Sequence, residues 1–157
     1  MKKYELLDSD TVTTPAGDTL KRIRALKDFG DIKAGDLGGY IQHEGNLSHE
    51  GDAWVGDDAR VGGDARVNGN ARVGGDACVT DDAWVGGKAR VGGNAWVNDG
   101  ALVFGDARVS GNAWVGENAL VGGNALVVGN AHVCGNALVS GNALVGGDAV
   151  LSTDIHN

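Results

Sequence analysis

Chemistry in this chain has to come from a small set of side chains. Four are histidines: His43, His49, His132 and His156. An imidazole titrates near neutral pH and can serve as a general base or a zinc ligand. Zinc requires several convergent ligands, and these histidines have no such spacing. The expectation is therefore no resident metal and no cofactor. Cys78 and Cys134 lack a neighbouring histidine that would make a reactive thiolate. No catalytic residue is expected, and His132 is the one candidate should the chain be an enzyme.

Two charged rows recur at intervals of eighteen residues. Asp81, Asp99 and Glu117 form the first, with Asp82 beside it. Carboxylates held close together repel and invite a cation, and calcium takes oxygen ligands of this kind, so the row is a weak cation candidate. Arg72, Arg90 and Arg108 form the second row, with Lys88 near them. They suit an anion or an acidic partner. The net charge of −8 and pI near 4.7 argue against general nucleic-acid binding.

The elements that position these residues come from composition and repeat. Glycine is abundant, 28 residues of 157, against a usual share of about 7%. Disorder fits poorly, because 42% of the residues are hydrophobic and recur on a strict period. No apolar run approaches the ~20 residues of a membrane span. The opening MKKYELLDSD lacks the apolar core of a secretory signal. With two cysteines and no disulfide framework, a cytoplasmic location is expected.

From Gly51 the sequence runs GDAWVG, DDARVG, GDARVN, GNARVG and onward. Alanine occupies every sixth position from Ala53 to Ala149, and valine follows two places later from Val55 to Val145, with Leu151 in the last slot. In Ala-x-Val the first and third side chains share a face, because strand side chains alternate. Gly with Asp or Asn supplies the turn, where positive φ is tolerated. Small alanine and larger valine then fill a prism too narrow to hold a ligand.

Residues 61–66, Val-Gly-Gly-Asp-Ala-Arg, resemble the [LIV]-[GAED]-x-x-[STAV]-x signature of hexapeptide-repeat, left-handed β-helix proteins. The resemblance implies an all-β chain: a left-handed parallel β-helix of triangular section, about six coils of three hexads each. The stretch DFGDIKAGDLGGYI, then NLS and GDAWV, further resembles uncharacterised bacterial and prophage hexapeptide-repeat proteins often labelled putative transferases. Hexapeptide acyltransferases, which that label evokes, place a histidine base and an acyl-CoA donor between subunits. A loop excursion typical of them is missing from residues 51–152. Gamma-class carbonic anhydrases of this fold hold zinc with three histidines, a pattern with no counterpart here.

Residues 1–38 carry no repeat. KKYELL and TLKRIRAL read as strands around the turn TTPAGD, and the segment is expected to cap the first coil as a small β-hairpin with a connector. The β-helix is expected over 39–157. Residues 39–50 form imperfect hexads, with Ile41 and Leu47 at the alanine position and His43 and His49 at the valine position. Regular hexads follow over 51–152, then a short tail.

Function is expected on the outward residue between Ala and Val, sorted by eighteens into three faces. The first carries Trp54, Arg72, Arg90, Arg108, Leu126 and Leu144; the second Arg60, Cys78, Trp96, Trp114, His132 and Val150. The third carries Arg66, Trp84, Leu102, Leu120 and Leu138. Outward leucine and tryptophan rows mark contact surfaces. The expected partner-binding residues are Trp84, Trp96, Trp114, Leu102, Leu120, Leu126, Leu138 and Leu144. The leading expectation is a non-enzymatic scaffold that self-associates, as a homotrimer or other homo-oligomer. Two alternatives stand beside it: an acyl-CoA-dependent acyltransferase, and a phage accessory protein that captures a host protein or small nucleotide.

Overall fold

The computed structural model describes residues 2–152 and the backbone of residues 155–156. Among the described residues there is one 3-10 turn, Glu44–Asn46, and no α-helix; the rest of the regular structure is strand. Each hexad contributes a very short strand, such as Trp54–Val55, Arg60–Val61 and Arg66–Val67. Strands eighteen residues apart pair in parallel, Arg90 with Arg72 on one side and Arg108 on the other. The result is a parallel β-solenoid of about six turns, whose three faces are three separate sheets.

The interior is built from two side chains. Every repeat alanine from Ala53 to Ala143 and every repeat valine from Val55 to Val145 is buried, in one continuous cluster. Methyl stacks on methyl and isopropyl on isopropyl down the axis. Each buried valine contributes roughly 1.5–3 kcal/mol.

The corners follow from crowding between turns. Gly93 has a φ of +61°, and a Cβ there would lie 2.8 Å from the backbone nitrogen of Gly111 in the next turn. Four corners carry acids instead, all at positive φ: Asp57, Asp81, Asp99 and Glu117. Beside the corners an amide ladder runs along the outside. Asn94 donates to Asn112 at 3.2 Å, Asn112 to Asn130 at 3.2 Å, and Asn130 to Asp148 at 3.1 Å. Such ladders satisfy each turn with the one below it.

The N-terminal segment forms β1 (Tyr4–Thr13) and β2 (Thr19–Ala25), an antiparallel hairpin, followed by β3 (Leu37–Ile41) antiparallel to β2. β3 then pairs in parallel with Arg60–Val61, which extends the second face to nine strands. Here the register differs from the sequence expectation. Ile41 pairs with Val61, and Leu47 bridges Val67. Both therefore sit at valine positions, not alanine positions, and His43 and His49 are displaced from the core. Ile41 and Leu47 are still six residues apart, so the two extra residues fall in the bends between Leu47 and Ala53, where the regular register begins.

A solenoid end exposes carbonyls with no preceding turn to bond them. In deeper turns a backbone N–H fills this role: Arg66 N–H donates to the Ala83 carbonyl at 2.9 Å. At the N-terminal end side chains substitute. The buried Asn46 amide donates to the carbonyls of Gly63 (3.1 Å) and Ala65 (2.9 Å), while its Oδ1 accepts from the N–H groups of Gln42 and His43. The Lys3 ammonium donates to the carbonyls of Ala53 (2.6 Å) and Gly51 (3.3 Å). The Tyr4 hydroxyl serves Leu47 and Glu44 carbonyls.

Burial lowers the Lys3 pKa from 10.5 to about 8. Between these values the unfolded chain holds a proton that the folded chain does not, so stability rises with pH across that window. Burial pushes the Tyr4 hydroxyl up from 10.0, which reverses the trend at higher pH. The urea midpoint is therefore expected to climb between pH 8 and about pH 10 in the wild type. Lys3→Met should flatten this climb; an unchanged pH profile in that variant would disprove the assignment.

Candidate functional site

The solenoid turns the outward residues into stacked rows at rung spacing, so the candidate site is a surface. On the first face, Trp54 is only 4% exposed. The sequence placed it outward, but the N-terminal segment covers it. Phe29 meets its ring edge-on at 5.4 Å, and Tyr4 at 6.5 Å. Arg72 is likewise engaged: its guanidinium donates to Asp31 at 2.6 Å and holds that carboxyl below its usual range. Arg90 and Arg108 are exposed beyond it. Leu126 is half-buried, and Leu144 is 64% exposed.

On the second face, Trp96 and Trp114 are adjacent, ring centroids 6.5 Å apart and tilted by 59°. His132 continues the stack, 5.5 Å from Trp114. The Trp114 indole N–H donates to Asn98 Oδ1 at 2.9 Å, which fixes the ring. Cys78 is half-buried below Trp96, and burial pushes its thiol up, away from reactivity. Both cysteines are free, and Cys134 donates weakly to the Leu151 carbonyl at 3.5 Å.

On the third face, Arg66 lies over the Trp84 ring at 5.4 Å. Leu102, Leu120 and Leu138 follow it, each half-buried by its neighbours in the row. Phe104, which the sequence reading did not single out, is 38% exposed at the corner joining this face to the first. Its ring lies where a Cβ on Gly122 would be, 2.5 Å away. The signal was present in the sequence: an aromatic stands in a corner slot otherwise filled by Gly, Asn or Ser.

The histidines nearest the N-terminus have structural contacts. His49 stacks on Tyr4 at 4.1 Å; its Nδ1 accepts from the Lys3 N–H at 3.0 Å, so Nε2 carries the proton toward Glu44, 2.8 Å away. His43 Nε2 lies 2.9 Å from the Gly63 carbonyl. The side chain of His156 lies outside the described residues. Among the described residues no three His, Cys, Asp or Glu side chains are placed so that they could hold a metal ion.

The acidic row has an architectural use. Asp81 Oδ2 accepts the N–H of Asp99 at 3.1 Å, and Asp99 Oδ2 accepts that of Glu117 at 3.2 Å. Asp57, a fourth acidic corner outside the row, does the same for Gly75 at 3.0 Å. Each aspartate thus satisfies a corner N–H in the turn below.

Three segments of the chain, residues 59–75, 101–117 and 131–147, match the family described as YdcK Beta solenoid repeat. Together they cover about a third of its length. Comparison with the curated proteins returned no match.

The aspartate corners yield a direct test by chemical denaturation. Asp99→Ala removes the acceptor and puts a methyl side chain at positive φ, and is expected to cost about 1 kcal/mol. Asp99→Asn keeps both the acceptor and the tolerance for this backbone, and should remain near wild type. Equal losses in the two variants would disprove the capping role.

Proposed function

Because the chain is a repeat β-helix protein, we propose that it acts as a rigid, non-enzymatic scaffold that associates with further copies of itself, as a trimer or another closed ring. The observation that carries this reading is the exposure of three tryptophans on flat parallel rungs: Trp84 at 43%, Trp96 at 49% and Trp114 at 43%. Indole is a frequent centre of binding energy at interfaces. Asn98 holds the Trp114 ring, Arg66 lies over that of Trp84 and Trp96 packs against Trp114, so docking loses less side-chain freedom than it would with unrestrained rings.

The third face offers the longest apolar stripe, running from Trp84 through Leu102 and Leu120 to Leu138, with Phe104 along its edge. The first face offers Leu126 and Leu144 beyond its arginines. Copies arranged side by side around a common axis keep their rungs at equal heights. A stripe from one copy then meets a stripe of the same spacing on the next, and the ring closes. Arg90 and Arg108 fall at the rim of such a contact, where they can pair with acidic side chains of a neighbouring copy or of another partner. Rim pairs of this kind contribute mainly to orientation.

Light scattering across the micromolar range is expected to show an oligomer. Trp84→Ser combined with Leu102→Ser should weaken association at least about tenfold. Both side chains point away from the core, so the circular dichroism spectrum should not change. A wild-type protein that stays monomeric at high micromolar concentration sinks the proposal.

A further inference from the structure

A small notch of about 190 Å³ opens beside the stacked rings of the second face, bordered by Asn98, Asp99, Trp114, Glu117, His132 and Cys134. We propose that it binds an organic cation, an alkylammonium or guanidinium head group, between the Trp114 indole and the Glu117 and Asp99 carboxylates. The inference concerns the second face and does not depend on self-association.

Three observations support it. The first is the fixed ring. Asn98 holds the Trp114 N–H at 2.9 Å, so the indole is oriented before any ligand arrives. Neither Trp96 nor His132 lies flat on it, since their planes are tilted by 59° and 51°. Part of the π surface is therefore left open to a cation.

The second is Gly116. A Cβ at this residue would lie 2.6 Å from Asn98 Oδ1, 3.2 Å from Trp114 Nε1 and 3.7 Å from Asp99 Oδ2. The missing side chain thus lets the indole edge and a carboxylate converge at the rim of the notch.

The third is Glu117. The aspartates at the other acidic corners each use an oxygen to cap the N–H eighteen residues on. Glu117 is one methylene longer, and among the described residues its carboxylate has no hydrogen bond or ion pair. Among the described residues no lysine or arginine borders the notch. Two acidic residues beside an indole, with no lysine or arginine among the described residues that border the notch, favour positive charge.

The shape and chemistry narrow the ligand. The volume is below the roughly 300 Å³ of a pocket for a whole small molecule, so the notch takes a head group while the rest of the ligand stays outside. A calcium ion would need six or more oxygen ligands, which this rim does not supply. A weakly hydrated organic cation gains from the indole face as well as from the carboxylates.

The head group can belong to a free amine or to an arginine side chain on another protein, and two probes separate these sources. Tetramethylammonium and methylguanidinium chlorides would be titrated against sodium chloride at constant ionic strength, with calorimetry and the Trp114 indole N–H resonance as readouts. A saturable response with a dissociation constant in roughly the millimolar range is expected. Preference for tetramethylammonium assigns the notch to a quaternary amine, and preference for methylguanidinium assigns it to arginine. Glu117→Gln should weaken binding about fivefold or more, and Trp114→Leu should abolish it, both with unchanged circular dichroism. If both probes behave like sodium chloride, or if Glu117→Gln binds like wild type, the proposal is overturned.

Discussion

The rest of the structure depends on the width of the prism. A turn of three very short strands leaves room inside for one alanine and one valine per side, and for little else. The rung spacing in turn brings successive corners so close that a Cβ on Gly93 would press on the backbone of Gly111. The corners also take positive φ, which glycine adopts freely and aspartate with modest strain. Composition and period follow from the width, and the corner chemistry from the rung spacing. Asp57, Asp81 and Asp99 offset that strain by giving an oxygen to the next corner N–H.

A stack of identical turns has no internal reason to stop, so its first turn must differ from the rest. The N-terminal segment supplies the difference with side chains that imitate a preceding rung. Asn46 and Lys3 each provide two donors to carbonyls that a backbone N–H would otherwise reach. Burying a lysine for this purpose is costly, as its lowered pKa records. Above about pH 8 the neutral amine that forms still has two N–H bonds for the two carbonyls. The same segment shields Trp54 and engages Arg72, so the first turn of each outer row is drawn into the architecture and withdrawn from the surface.

The repeat made the core legible from Ala53 onward, because a two-residue alternation within a six-residue period has only one face to bury. The first turn was less legible. Gly39, Gly45 and Gly51 keep the six-residue step and suggest an unbroken register. The actual pairings of Ile41 with Val61 and Leu47 with Val67 depend on a 3-10 turn whose key residue, Asn46, bonds across space to Gly63 and Ala65. No local pattern announces such long-range bonds. The outer rows were legible as rows, since eighteen-residue sorting is geometry. Their exposure was not, because it depends on what lies above each rung: Leu120 is half-covered by its row, and Trp54 by a distant segment.

A fold this constrained confines variation to the outward position and the corners. Replacing a core valine disturbs the turns packed against it, whereas an outward arginine, leucine or tryptophan disturbs only its own row. Recognition can therefore be changed rung by rung without cost to the core. Glu117 shows how small the step is. At Asp99 the corner carboxylate reaches the next N–H and is used by the fold. One methylene further, at Glu117, the carboxylate makes no such bond among the described residues, and the residue borders the notch beside Trp114. In this architecture a single CH₂ group separates a structural acid from one available to a ligand.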